Sequence, residues 1–154
     1  MMRLGLALAF VVAALDQFSK WAVLEYFMDP PRIIKLLPFF DLVLVYNRGA
    51  SFGFLNISAL WVPWLLTGIA IAVVIALIIW LRRAETRYLA AALGLIIGGA
   101  VGNGIDRVAR DRHAVVDFID LHVGAYHWPA FNVADSAIVT GVFILLLDGL
   151  IIRR

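Results

Sequence analysis

The sequence predicts an all-α membrane protein, four transmembrane helices with a small extracytoplasmic β-sheet forming a cradle. Three observations lead there. Of 154 residues, 64% are hydrophobic and the mean hydropathy is +0.96, whereas a soluble domain is about 45–50% apolar. Four stretches approach the about 20 apolar residues that a helix needs to cross a bilayer core. The two long connections carry β-like runs and aromatics instead of linker composition. The length fits one domain, 1–154.

The first span covers about 4–27 and is interrupted by Asp16, Gln17, Ser19 and Lys20. LGLALAFVVAAL after Arg3 resembles the apolar part of a secretory signal. No small-x-small cleavage site follows it, so a retained helix is expected. The connection 28–58 contains DLVLVY, a strand-like run, then a glycine-bearing turn and more aromatics. The second span, 59–81, is unbroken by charge. The third, 88–107, is rich in glycine. The connection 108–132 contains VVDFIDLHV, again β-rich, and then HWP, whose Trp128 suits a membrane interface. The fourth span covers about 133–152.

Lysine and arginine near the span ends set orientation. Arg3, Arg82, Arg83, Arg87, Arg153 and Arg154 lie on one side, and Arg32, Lys35, Arg48, Arg107, Arg110 and Arg112 on the other, six against six. The first set is packed into two tails and one tight loop. The second is diluted over long segments and mixed with aspartates. Both termini are therefore expected in the cytoplasm and both long connections outside.

Cysteine is absent, which excludes disulfides, thiolate nucleophiles and cysteine metal sites. His113, His122 and His127 are spaced nine and five apart. That spacing puts no pair on one helical turn, so they read as loop and interfacial residues, with no metal and no cofactor expected. The net charge of +2 is scattered, against a nucleic-acid partner.

Ionisable groups within spans are functional suspects. At about 1.5 Å of rise per residue, Asp16 and Lys20 fall in the outer half of the first helix. Asn103, Asp106 and Arg107 close the third helix at the same end. Asp135 begins the fourth there, and Asp117 lies in the connection between those two. Asp148, alone in the inner half, is expected to reach toward Arg153 or Arg154. Gly94, Gly98 and Gly102 recur every four residues, a ridge that lets helices approach closely. Asn103 and Arg107 share a face with Gly99.

Each residue also has a structural reading. Asp16 and Lys20 suit an i,i+4 ion pair, and Arg107 suits a helix-end anchor at the lipid headgroups. Asn132 and Asp135 suit an N-cap with an acid at the third position. Convergence at one depth favours chemistry. Two carboxylates in a low-dielectric site share one proton and so present an acid and a base together. Amide hydrolysis by an activated water needs that pair. Spacing alone leaves Asp117, Asp120 and Asp106 open as the partner of Asp135. A small transporter and a non-enzymatic membrane assembly protein are the rival classes.

DQFSK at 16–20, NRGASF at 47–52, GNGIDR at 102–107, VVDF at 115–118 and FNVAD at 131–135 occur in one order. In these motifs, and over nearly its whole length, the chain resembles the bacterial lipoprotein signal peptidases, the type II signal peptidases. Ser51 stands where that family more usually has alanine. The resemblance implies an aspartic peptidase of the bacterial inner membrane, with its active site near the outer leaflet. It would cut signal peptides from prolipoproteins just before a cysteine bearing diacylglycerol. Carried over by motif, Asp117 and Asp135 are the catalytic dyad, and Asp120 falls outside the catalytic pattern. Asn47, Asn103, Arg107 and Asn132 would support the site or hold substrate backbone and lipid, while Asp16 and Lys20 would stand behind it. Membrane lipids are the other partner. Residues 33–55 would form the cradle, with Phe39, Phe40, Tyr46, Phe52 and Phe54 suited to lipid and interface contact.

Overall fold

The computed structural model describes residues 1–49 and 61–149. The first span is α1, Met2–Ala22, continued by a π-helical turn, Val23–Phe27. Two strands follow, β1 (Ile34–Leu37) and β2 (Phe40–Asn47), the second enclosing the DLVLVY run. The helix α2 (Val62–Leu81) starts with Pro63 in its first turn, where the missing N–H is no loss. The helix α3 (Arg87–Ala109) is capped by Thr86, whose hydroxyl accepts from the Leu89 N–H at 3.0 Å. VVDFIDLHV is β3 from end to end (Val115–Val123), and the short β4 (Tyr126–His127) folds back on it. The helix α4 (Val133–Leu147) is described over 15 residues. The expected span ran to 152, partly outside the described residues. By length and composition, α1 with its extension, α2 and α3 are each long and apolar enough to cross a membrane.

The strands form one antiparallel sheet in the order β1-β2-β3-β4. Val116 and Phe118, alternate residues of β3, pack with Val23 and Met28 beyond α1. This fastens the sheet to the end of the first span, while Asp117, on the alternate face of β3, meets the start of α4 through Asn132. Phe131 exchanges backbone hydrogen bonds with Ile119, N–H to O at 2.9 and 3.0 Å, so the chain entering α4 is stitched to β3.

The helix α3 is the centre of the bundle, touching α1, α2 and α4. The glycine ridge meets α1 as expected. A Cβ on Gly94 would lie 2.5 Å from the Gly5 carbonyl oxygen, and one on Gly98 would lie 2.6 Å from that of Ala9. Both neighbours are backbone and cannot move aside, so glycine is required for this separation. Gly99 presses against the Ala134 carbonyl on the opposite side.

Asp148 is buried and accepts a hydrogen bond from Thr86 Oγ1 at 3.2 Å, so it contacts the cap of α3 instead of only leaning toward the membrane surface. Its expected partners Arg153 and Arg154 lie outside the described residues.

The glycine contacts set an expectation for stability. Gly94→Val should destabilise the protein by about 1–3 kcal/mol or more through overpacking against backbone. Gly104→Ala, where a Cβ meets nothing within 4 Å, should be neutral or stabilising by about 0.5–1 kcal/mol. Denaturation midpoints in detergent distinguish the two, and equal effects would remove the close-packing account of α3.

Candidate active site

The polar residues of α1 and α3 meet at one end of the bundle. Lys20 is fully buried, with Nζ 2.8 Å from Asp16 Oδ2 and 2.7 Å from Asp106 Oδ2. Arg110 Nε approaches the other oxygen of Asp106 at 2.8 Å. Gln17 Nε2 donates to Asp106 Oδ1 and to the Gly102 carbonyl, each at 3.0 Å. Asp16 Oδ1 accepts from the Ala134 N–H at 3.0 Å, which places a carboxylate at the positive end of α4. Asp106 Oδ2 accepts from the Val116 N–H at 3.1 Å. The expected Asp16–Lys20 pair thus exists within a larger cluster that joins α1, α3, α4 and β3.

Lys20 also donates to Asn103 Oδ1 at 3.0 Å. Asn103 Nδ2 donates in turn to Asp135 Oδ1 at 2.8 Å. Asn132 is the N-cap of α4. Its Oδ1 accepts from the Asp135 N–H at 2.9 Å, and its own N–H donates to Asp135 Oδ2 at 3.2 Å, a complete capping box. Asn132 Nδ2 donates to Asp117 Oδ1 at 2.7 Å and to Asn103 Oδ1 at 3.1 Å. Asn47 completes the set. Its Oδ1 accepts from the Gly49 N–H at 2.8 Å, which turns its amide nitrogen to Asp117 Oδ2 at 3.0 Å. One asparagine therefore donates to both Asp117 and Asp135. The capping role expected of Asn132 is present, and the same residue also reaches Asp117.

Asp117 is 1% exposed. Burial pushes its carboxyl up to about 6, the Asn47 hydrogen bond pulls against this, and the Asp135 charge adds to it. Arg107 feels the charges of Asp135, Asp106 and Asp117. Its Nη1 reaches the Asn103 carbonyl at 3.4 Å, and its buried Nε has no hydrogen-bond partner among the described residues. It lies at the end of α3 that carries Asn103 and Asp106.

The other candidates for the partner of Asp135 are occupied elsewhere. Asp106 is held by Lys20 and Arg110. Asp120 stands three residues from Asp117, an odd step that points it to the opposite face of the strand. There it opposes Asp41 on β2 and contacts His127 Nδ1 at 2.7 Å. His122 Nε2 lies 3.4 Å from Asp41, and the two imidazoles stack at 4.8 Å. Sequence spacing did not reveal this histidine pair, because it arises from the register of β3 and β4. Gln17 was also missed as a member of the ion cluster. Its place beside Asp16 in DQFSK was the only signal. Among the described residues no group of three or more acids and histidines is placed to hold a metal ion.

A cavity of about 890 Å³ opens beside Asp135, walled by Phe39, Leu121, Tyr126, Trp128, Phe131 and Val139. Of the aromatics expected to line a cradle, Phe39 does so. Tyr46 instead packs in the sheet with the Arg112 guanidinium 4.2 Å above its ring. Phe40 is half-buried on β2, and Phe52 and Phe54 lie outside the described residues. A smaller cavity of about 520 Å³, bordered by Arg32, Asp120 and His127, reaches neither Asp117 nor Asp135.

Comparison with known proteins places this arrangement. A family model described as signal peptidase (SPase) II matches residues 8–151. The lipoprotein signal peptidase of Methylorubrum extorquens is 48% identical over 149 residues, 96% of this chain and 86% of that one. The lipoprotein signal peptidase of Burkholderia thailandensis is 44% identical over 146 residues, 94% of this chain and 86% of the relative. A solved structure described as a bacterial membrane enzyme superposes with a TM-score of 0.80 at 30% identity, covering 96% of this chain and 92% of that one. A second, described in the same words, gives 0.78 at 29% identity. The chain is a multi-pass membrane protein and belongs to the signal peptidase II family.

Proposed function

We propose that this aspartic endopeptidase cuts signal peptides from prolipoproteins immediately before a diacylglyceryl-cysteine, with Asp117 and Asp135 as its catalytic pair. The observation that carries the assignment is Asn132, which donates to both carboxylates through its side-chain and backbone N–H groups. Two acids tied to one residue repel when both are ionised, so the working state of the pair holds one proton. Burial favours that proton on Asp117.

The chemistry follows from this state. Asp135, half-buried and next to the cavity, draws a proton from a water that attacks the scissile carbonyl. Asp117 donates its proton to the carbonyl oxygen and stabilises the tetrahedral intermediate. As the intermediate collapses, the proton taken by Asp135 passes to the departing amine and one hydroxyl of the intermediate returns its proton to Asp117, restoring the pair. Arg107 supplies fixed positive charge beside the pair. No cofactor or metal is required for any of these steps.

The substrate fits the position of the pair. A signal peptide is an apolar helix, and the diacylglyceryl group keeps its cleavage point at lipid depth. The cavity next to Asp135 is lined by aromatic and aliphatic side chains suited to such a chain. The density of arginine in the tails and the 82–87 loop favours cytoplasmic termini. The sheet and the acids then lie at the outer leaflet, where the precursor presents its bond.

Purified variants incubated with a lipidated prolipoprotein and read by gel mobility test the assignment. Asp117→Asn and Asp135→Asn should each lower turnover by about 100-fold or more while the protein remains folded. Asp120→Asn should retain most activity, and EDTA should leave turnover unchanged. Near-normal cleavage by either dyad variant would sink the reading.

Stability should also depend on pH through Asp117. Its folded value of about 6 lies above the ordinary carboxylate value of 3.8. Keeping this buried group neutral therefore contributes stability below about pH 4 that is lost as pH rises through 6. Relative to Asp117→Asn, the unmodified protein should lose about 2 kcal/mol between pH 4 and pH 7. Denaturation midpoints of the two proteins at both pH values measure this. A gap independent of pH would mean that Asp117 ionises freely.

A further inference from the structure

Lys20 has three ammonium protons and three acceptors. Two acceptors are the carboxylates of Asp16 and Asp106. With Arg110 on Asp106, the charges within that cluster balance. The third acceptor is a neutral amide oxygen, Asn103 Oδ1, at 3.0 Å. Only the oxygen of a carboxamide can accept from an ammonium, so this contact decides which way Asn103 points. The nitrogen is left to donate to Asp135 at 2.8 Å. The same oxygen accepts from Asn132, whose amide nitrogen also reaches Asp117. One buried charge is thus connected to Asp135 through Asn103 and to Asp117 through Asn103 and Asn132.

We propose that Lys20 is a positioning residue: through Asn103 it forces an N–H donor onto Asp135, keeping Asp135 the acceptor and leaving the shared proton to Asp117. This rests on the reading of Asp117 and Asp135 as a working pair. Without the ammonium only Asn132 still holds the Asn103 oxygen, and a carboxamide that turns over exchanges that bond and its own donation to Asp135 for the reversed arrangement. It would then offer its carbonyl to Asp135, an arrangement that suits Asp135 carrying a proton. Every state with Asp135 protonated gains, so the pair accepts its second proton more readily.

Lys20→Met alone strands two buried carboxylates, so the test uses Lys20→Met with Asp106→Asn, which removes one charge of each sign. Asp106→Asn alone is the control, since it keeps Lys20 on Asn103. The readout is the acidic limb of kcat/KM against pH, which reports the pair as a unit. In the double variant the limb should move up by about one pH unit. In the control it should stay or move slightly down, because a neighbouring negative charge is gone. Carboxyl ¹³C titration of aspartate-labelled protein reads the same shift without substrate, so a failure of cleavage is distinguishable from a failure of positioning. An unmoved limb and titration in the double variant overturn the proposal. So does a double variant that cannot fold, since Lys20 would then be needed for the cluster alone.

Discussion

The structure turns on one buried ammonium. An isolated charge inside a membrane-embedded bundle costs several kcal/mol, and it persists only where geometry neutralises it. Lys20 is neutralised by Asp16 from its own helix and Asp106 from α3. These acids have further obligations: Asp16 takes the first turn of α4 through the Ala134 N–H, and Asp106 takes β3 through the Val116 N–H. Satisfying one charge therefore fixes the mutual positions of three helix ends and a strand. The two acids of the proposed pair belong to two of those pieces, Asp117 to β3 and Asp135 to α4.

Close helix packing makes this possible. The ion pairs need α1 and α3 near enough for short side chains to meet, and the glycine ridge removes the side chains that would hold them apart. Gly102 continues the ridge to the site itself, where a Cβ would lie 2.6 Å from Asp16 Oδ2. A packing device in the apolar half and an electrostatic device in the polar half are one continuous contact.

Asn132 shows how a local rule ties distant acids together. A helix start leaves backbone N–H groups without partners, and a capping asparagine with an acid three residues on satisfies two of them. Here that acid is Asp135. Its oxygens are oriented by the cap before any substrate arrives, while the spare amide of the cap is turned to Asp117. The relative placement of Asp117 and Asp135 is thus held by the same bonds that begin α4.

The sequence by itself determined the three long apolar helices, the start of α4, the Asp16–Lys20 pair, the glycine ridge and both principal strands. These depend on hydropathy summed along a segment or on spacings within one element, which are local properties. Its five ordered motifs also singled out Asp117 and Asp135. Only tertiary structure decided that Asp120 turns away to His127, that Asp106 belongs to Lys20 and that Gln17 joins the cluster. Each of these depends on contacts between elements or on which face of a strand is buried. The bonds involved span 70 residues from Asn47 to Asp117 and 118 from Asp16 to Ala134. Asp117 meets the start of α4 and Asp120 meets His127 because alternate residues of β3 take opposite faces, and which face lies against Asn132 is set by how the sheet packs.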